Sequence, residues 1–165
     1  VGDVAVIPAP DFKQKQVIMD CLVKTAKAVG VGKPKVAIIA ATEQVLTSQP
    51  ATVEAAMLAK MVDRGQIKGC IADGPLALDV AIDQESVEIK GLVSPVAGDA
   101  DCLLFPNIES GNVFYKVNSK ILRIIFFDKA TNLIKNFHSD FQYHSVFFSY
   151  SNESFRINKI SVFVL

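Results

Sequence analysis

The chain has 165 residues, half of them hydrophobic and 21% charged, a composition that suits a globular domain with a buried core and excludes a disordered one. Lysine plus arginine and aspartate plus glutamate each number 17, so there is no basic excess from which to build a nucleic-acid-binding face. No apolar run approaches the roughly 20 residues of a membrane span, and no basic stretch leads into an apolar core at the amino end, so neither a membrane partner nor a signal peptide is expected.

"DVAVI" (3–7) is a short β-branched run that predicts a strand, closed by Pro8 and Pro10. Because the chain opens inside this run, the expectation is that the amino end of a longer protein lies ahead of it. Asp11 is placed to cap a helix whose apolar positions Val17/Ile18, Cys21/Leu22, Thr25/Ala26 and Val29 recur at helical spacing. Gly30, Gly32 and Pro34 end it. "KVAIIA" (35–40) is a continuous apolar run, as in a strand buried on both faces. A second helix is predicted over 51–64, with Val53, Met57 and Met61 in line as a packing face and Gly65 just past its end. "IKGCIA" (67–72) reads as the next strand, and Asp73-Gly74-Pro75 as the tight turn that follows it. A helix opens after Pro75 and runs, with a break, to Lys90-Gly91. "DCLLF" (101–105) is the last clear strand, and "NIESGNVFYKVNS" begins another helix. Strands and helices alternating at this pitch predict an α/β fold, a parallel sheet with helices on both faces. Lys13/Lys15 and Lys24/Lys27 read as solvated helix faces.

Near residue 117 the chain changes character. All nine glycines and all seven prolines lie before it, whereas eight of the eleven phenylalanines and both histidines lie after it. The front part carries a net charge of −3 and the tail +3. Residues 117–165 thus form a Phe/Asn-rich tail without turn punctuation, which is expected to pack poorly against the sheet. His138 and His144, set among Phe and Tyr, read as incidental rather than catalytic. Cys21, Cys70 and Cys102 lie far apart with no CxxC, which argues against a disulfide framework or a zinc site and for a reducing, cytoplasmic setting.

Ligands of open α/β sheets bind at the carboxyl ends of the strands. Three predicted strand ends carry polar or glycine-rich sequence: "AATEQ", "DGPLALD" and "PNIESGN". The last puts Ser110, Gly111 and Asn112 near a helix start, where free N–H groups and the helix dipole would seat a phosphate or carboxylate. Capping and turn formation would account for Asp73, Asn107 and Ser110 without any ligand, but three such ends on one short sheet favour a shared cleft. No GxGxxG and no P-loop lysine is present.

Three stretches, "DVAVIPAPDFKQKQVI", "KMVDRGQIKGCIADGPLALDVAI" and "KGLVSPVAGDADCLLFPNIESGNVFYK", closely resemble the carboxyl-terminal half of the phosphate butyryltransferase and phosphate acetyltransferase family. The resemblance covers about residues 1–116 and leans to the butyryltransferase branch. It implies an acyl group moved between an acyl phosphate and coenzyme A, with coenzyme A a substrate and no resident cofactor or metal. It also implies an isocitrate/isopropylmalate-dehydrogenase-like fold with two α/β domains and a cleft between them, assembled as a homodimer. The motif residues carried over as substrate-binding are Asp73, Gly74, Pro75, Asp79, Asn107, Ser110, Gly111 and Asn112. Asp73-Gly74-Pro75 would shape the cleft floor, and Asp79 would anchor the turn or face the cleft. The family's Ser-Arg pair followed by Asp has no counterpart here, since Ser154-Phe155-Arg156 has the wrong spacing, so no catalytic residue is assigned. A non-catalytic acyl-CoA-sensing domain, or a truncated inactive product, is the alternative that this missing segment would suit.

Overall fold

The structure, a computed structural model, describes residues 1–122 together with 148–149 and 161–162. Helix α1 (Phe12–Ala28) starts at Asp11, whose carboxylate accepts from the Gln14 N–H while the Gln14 side chain accepts from the Asp11 N–H, a complete capping box. Strand β1 (Lys35–Ile39) follows, then α2 (Pro50–Asp63), with Pro50 in the first turn where no N–H is needed. Next come β2 (Ile71–Leu76), α3 (Leu78–Ile82) and α4 (Gln84–Lys90). Asp83 both ends α3 and caps α4, its carboxylate accepting from the Ser86 N–H, which is the break expected in this helical stretch. Strand β3 (Cys102–Leu104) leads into α5 (Ile108–Lys116), continued as a π-helical segment over Val117–Leu122. Strands β4 (Phe148–Ser149) and β5 (Ser161–Val162) form a separate antiparallel pair. The expectation that the tail packs poorly, and the reading of His138 and His144, fall outside the described residues.

The main sheet is parallel with order β2-β1-β3. The path from β1 to β2 and the return from β2 to β3 run in opposite directions, so crossovers of one hand place their helices on opposite faces. The core has that form. Val36 and Ile38 of β1 pack with Ile18, Met19 and Leu22 of α1 and with Ala55 and Leu58 of α2. Ala37 and Ile39 pack the other way, with Ala81 of α3, Val96 and the half-buried Phe114 and Tyr115 of α5. The continuous apolar run of β1 is therefore buried on both sides.

The structure corrects four expectations. No strand forms over 3–7; only Gly2 bridges to Leu104. There the Asp3 carboxylate accepts the N–H groups of Ala5, Val6 and Ile7, and this local side-chain bonding displaces a strand ladder. The second strand lies at Ile71–Leu76 rather than 67–72, so Asp73-Gly74-Pro75 sits within it and not in a turn after it. Proline is tolerated because β2 is an edge strand and because the register with β1 slips there, between the pairs Ala37–Asp73 and Ile39–Leu76; the Gly74–Pro75 peptide is cis. On α2 the buried face is Thr52, Ala55 and Leu58; of the expected face, Met61 packs partly against the core while Met57 is 49% exposed. Lys15 is buried, not solvated.

Candidate functional site

The parallel sheet brings the carboxyl ends of β1, β2 and β3 to one edge. The strand order reverses around β1, so the crevice between the ends of β1 and β3 is the topological switch point of this sheet. A shallow depression, open to solvent and with little enclosed space, lies there. Its floor is Ile38, Leu104 and Leu58, and its rim includes Phe105, Pro106 and the Lys15–Glu54 pair. The Lys15 ammonium donates to the Glu54 carboxylate, tying α1 to α2 across this opening.

The eight residues singled out from the sequence fall into two groups on either side of β1. On the β2 side, Asp73 is half-buried and its carboxylate accepts from the Gly74 N–H at 2.8 Å. Gly74 lies hard against β1, where an added Cβ would come within 2.8 Å of Ile38 Cβ. Pro75 is buried. Asp79, exposed in the first turn of α3, pairs with the Lys90 ammonium at 3.1 Å, and the same ammonium pairs with Glu43 at 3.1 Å. The Glu43 carboxylate also accepts from the Ala77 N–H at 3.3 Å. On the β3 side, Asn107 caps α5, accepting from the Ser110 N–H at 3.0 Å and the Ser110 hydroxyl at 2.7 Å. The Gly111 N–H donates to the Asn107 carbonyl and the Ile108 N–H to that of Pro8. Gly111 is buried against Val4, and the Asn112 amide donates to the Val4 carbonyl at 2.8 Å. Thus the first-turn N–H groups of Ile108, Ser110 and Gly111, where an anion seat was expected, already have acceptors within the chain.

Adjacent strands are about 4.8 Å apart, so β2 and β3, at whose ends the two groups lie, are roughly 10 Å apart with β1 between them. None of the eight lines the depression. Sequence reasoning missed Lys15, Glu54, Glu43 and Lys90. Lys15 carried a signal, since it lies three, four and seven residues before Ile18, Met19 and Leu22 and so on the buried stripe of α1.

The Lys90 ammonium holds the Asp79 carboxyl below the usual carboxylate range, and Asp79 and Glu43 together raise Lys90. A depressed carboxyl stabilises the fold above its unfolded value and loses that contribution as pH falls through its folded value. A raised lysine contributes below its unfolded value and loses it as pH rises through the folded one. The pair is therefore intact across neutral pH. Lys90→Met should move the Asp79 titration, followed by carboxyl carbon NMR, upward towards an ordinary aspartate; an unmoved midpoint would show that the pairing does not persist in solution. Asn107→Ala should cost about 1 kcal/mol through loss of the cap, whereas Asn107→Asp should cost little. Thermal unfolding of both variants checks this, and equal losses would contradict the capping role.

Among the described residues, no helix is long and apolar enough to cross a membrane. A model of the family described as phosphate acetyl/butaryl transferase matches residues 1–124. The chain is 54% identical over 114 residues to a phosphate butyryltransferase of Clostridium acetobutylicum, covering 69% of this chain and 38% of that one. It is 43% identical over 130 residues to a phosphate acetyltransferase of Thermotoga maritima, covering 79% of this chain and 42% of the relative. The structure resembles a branched-chain phosphotransacylase from Enterococcus faecalis with a TM-score of 0.67 and 32% identity, over 71% of this chain and 42% of that one. The chain spans about two fifths of the length of these relatives. The family match, the sequence likeness and the structural likeness agree, and the chain belongs to the phosphate acetyl/butaryl transferase family.

Proposed function

We propose that this chain is a segment of an acyltransferase that moves a short acyl group between an acyl phosphate and coenzyme A. Family membership over residues 1–124 carries the reading. The edge formed by the strand ends contributes one wall of the cleft, with Asp73, Gly74, Pro75 and Asp79 on one side and Asn107, Ser110, Gly111 and Asn112 on the other. Coenzyme A, acyl phosphate and phosphate are the ligands, and no resident cofactor is required. A coenzyme A thiol attacks best as thiolate, and the carbonyl it attacks gains negative charge, so the reaction needs a carboxylate base and cationic or N–H donors in one place. The other wall of the cleft supplies what this segment lacks, and a cytoplasmic homodimer is the assembly in which it works. Exposed Ile82, Ile89 and Val93 are apolar side chains that such an assembly could cover.

The test is a chimera in which residues 1–116 replace the matching segment of a full-length relative. It should form butyryl-coenzyme A from butyryl phosphate, followed by thioester absorbance; a folded chimera without transfer would overturn the proposal. The 165-residue chain alone should give no measurable transfer, because each missing transition-state donor costs roughly 10²–10³ in rate. Turnover within about tenfold of a full-length relative would refute that incompleteness, since a half-built cleft also forfeits positioning.

A further inference from the structure

The β1–α2 loop leaves the central strand at the carboxyl edge of the sheet and bonds to the β2 side of that edge, and its two ends are held differently. At the α2 end the fully buried Thr52 hydroxyl accepts from the Leu46 N–H at 2.9 Å and lies 3.0 Å from the Leu46 carbonyl and 2.8 Å from that of Gln49. At the β1 end the Ala40 N–H donates to the Leu76 carbonyl. Between these anchors, the Glu43 carboxylate reaches across to the β2–α3 connection at Ala77 and to Lys90 in the last turn of α4. Lys90 in turn meets Asp79 in the first turn of α3.

We propose that Glu43 and Lys90 are positioning residues, forming with Asp79 an electrostatic clasp that fixes the middle of the β1–α2 loop against the start of α3 and the end of α4. The clasp joins three parts of the chain that share no strand pairing at this point. Each contact alone is a partly exposed ion pair, which contributes little to global stability. Its effect is on place, because one ammonium between two carboxylates leaves the loop a single seat. Where the strand-end edge serves acyl transfer, that seat sets the loop's position beside the motif residues on the β2 side. The clasp itself is a property of the loop and is tested without any assay of transfer.

Hydrogen exchange on the full 165-residue chain tests it. Lys90→Met should speed exchange of the Ala77 amide and of the amides of residues 43–45 by about two- to fivefold, the range a pair of this kind sustains. Those of Val36, Ala37 and Ile38 in β1 should stay unchanged. Lys90→Arg should restore protection, and 1 M salt on the unaltered chain should mimic Lys90→Met, since the Debye length then falls to about 3 Å. Asp79→Asn should loosen the loop less than Lys90→Met, because the Glu43–Lys90 pair remains. Unaltered loop exchange in Lys90→Met would overturn the proposal. So would equal acceleration in β1, which would mean that Lys90 acts only on global stability.

Discussion

Gly74→Ala should lower the stability of the folded chain by about 1–3 kcal/mol, the usual cost of forcing a methyl into a filled site. The added Cβ would stand 2.8 Å from Ile38 Cβ, 2.9 Å from the Ile38 carbonyl oxygen and 3.3 Å from Ala55 Cβ. Two of these atoms belong to the central strand, at a β-branched residue, so neither can swing aside as the tip of a long side chain would. Relief requires β2 to move off β1 where the ladder between them already slips. Gly32→Ala is the control, since nothing lies within 4 Å of its Cβ position and its φ is not positive. It should be neutral or stabilise by about 0.4–1 kcal/mol through the unfolded chain. Urea unfolding midpoints at constant m-value compare the two. Equal midpoints would mean that the close approach of Gly74 to Ile38 is not present in solution.

The Lys15–Glu54 pair should show an asymmetry set by burial. The Lys15 side chain is 9% exposed and that of Glu54 30%. Glu54→Leu leaves a buried ammonium without its partner and should cost about 3 kcal/mol, at the lower end for broken buried pairs. Lys15→Met leaves a carboxylate that water can still reach and should cost only about 1 kcal/mol. The double variant Lys15→Met/Glu54→Leu removes both charges and fills the same space with apolar atoms, so it should return close to the unaltered chain. Denaturant unfolding of the four proteins closes the cycle. Additive losses, or a larger loss from Lys15→Met, would contradict the placement of the pair at the mouth of the crevice.

Elements fixed by local chemistry were legible in the sequence. The start of α1 was readable because Asp11 announces it, and its end because Gly30 and Pro34 follow. Strand β1 was readable because "KVAIIA" is a short, β-branched apolar run directly after Pro34, as a strand buried on both faces spells it. The second strand was misplaced because Asp-Gly-Pro is turn chemistry by every local rule, and its place in an edge strand with a slipped register is decided by β1 alone. The run at 3–7 failed for a similar reason, since three N–H groups find the Asp3 carboxylate before they find a neighbouring strand. At the candidate site, Asp79 and Asn107 were visible as residues, while their partners differed in kind. Asn107 bonds three residues ahead, within reach of sequence reasoning. Asp79 meets Lys90 and, through it, Glu43, partners brought together only by the crossover from β2 back towards β3.

Pro75 has a meaning for self-association as well as for the fold. The outer edge of a sheet is a template on which another extended chain can add. Along β2 that template is interrupted: Pro75 has no N–H to offer, and the slip beside it puts its neighbours out of step with a regular strand. At the other end of the sheet, the chain's own Gly2 already occupies part of the edge of β3 by donating its N–H to the Leu103 carbonyl. Polymerisation by sheet extension would therefore meet a different obstacle in each direction, a broken ladder on one side and an occupied one on the other.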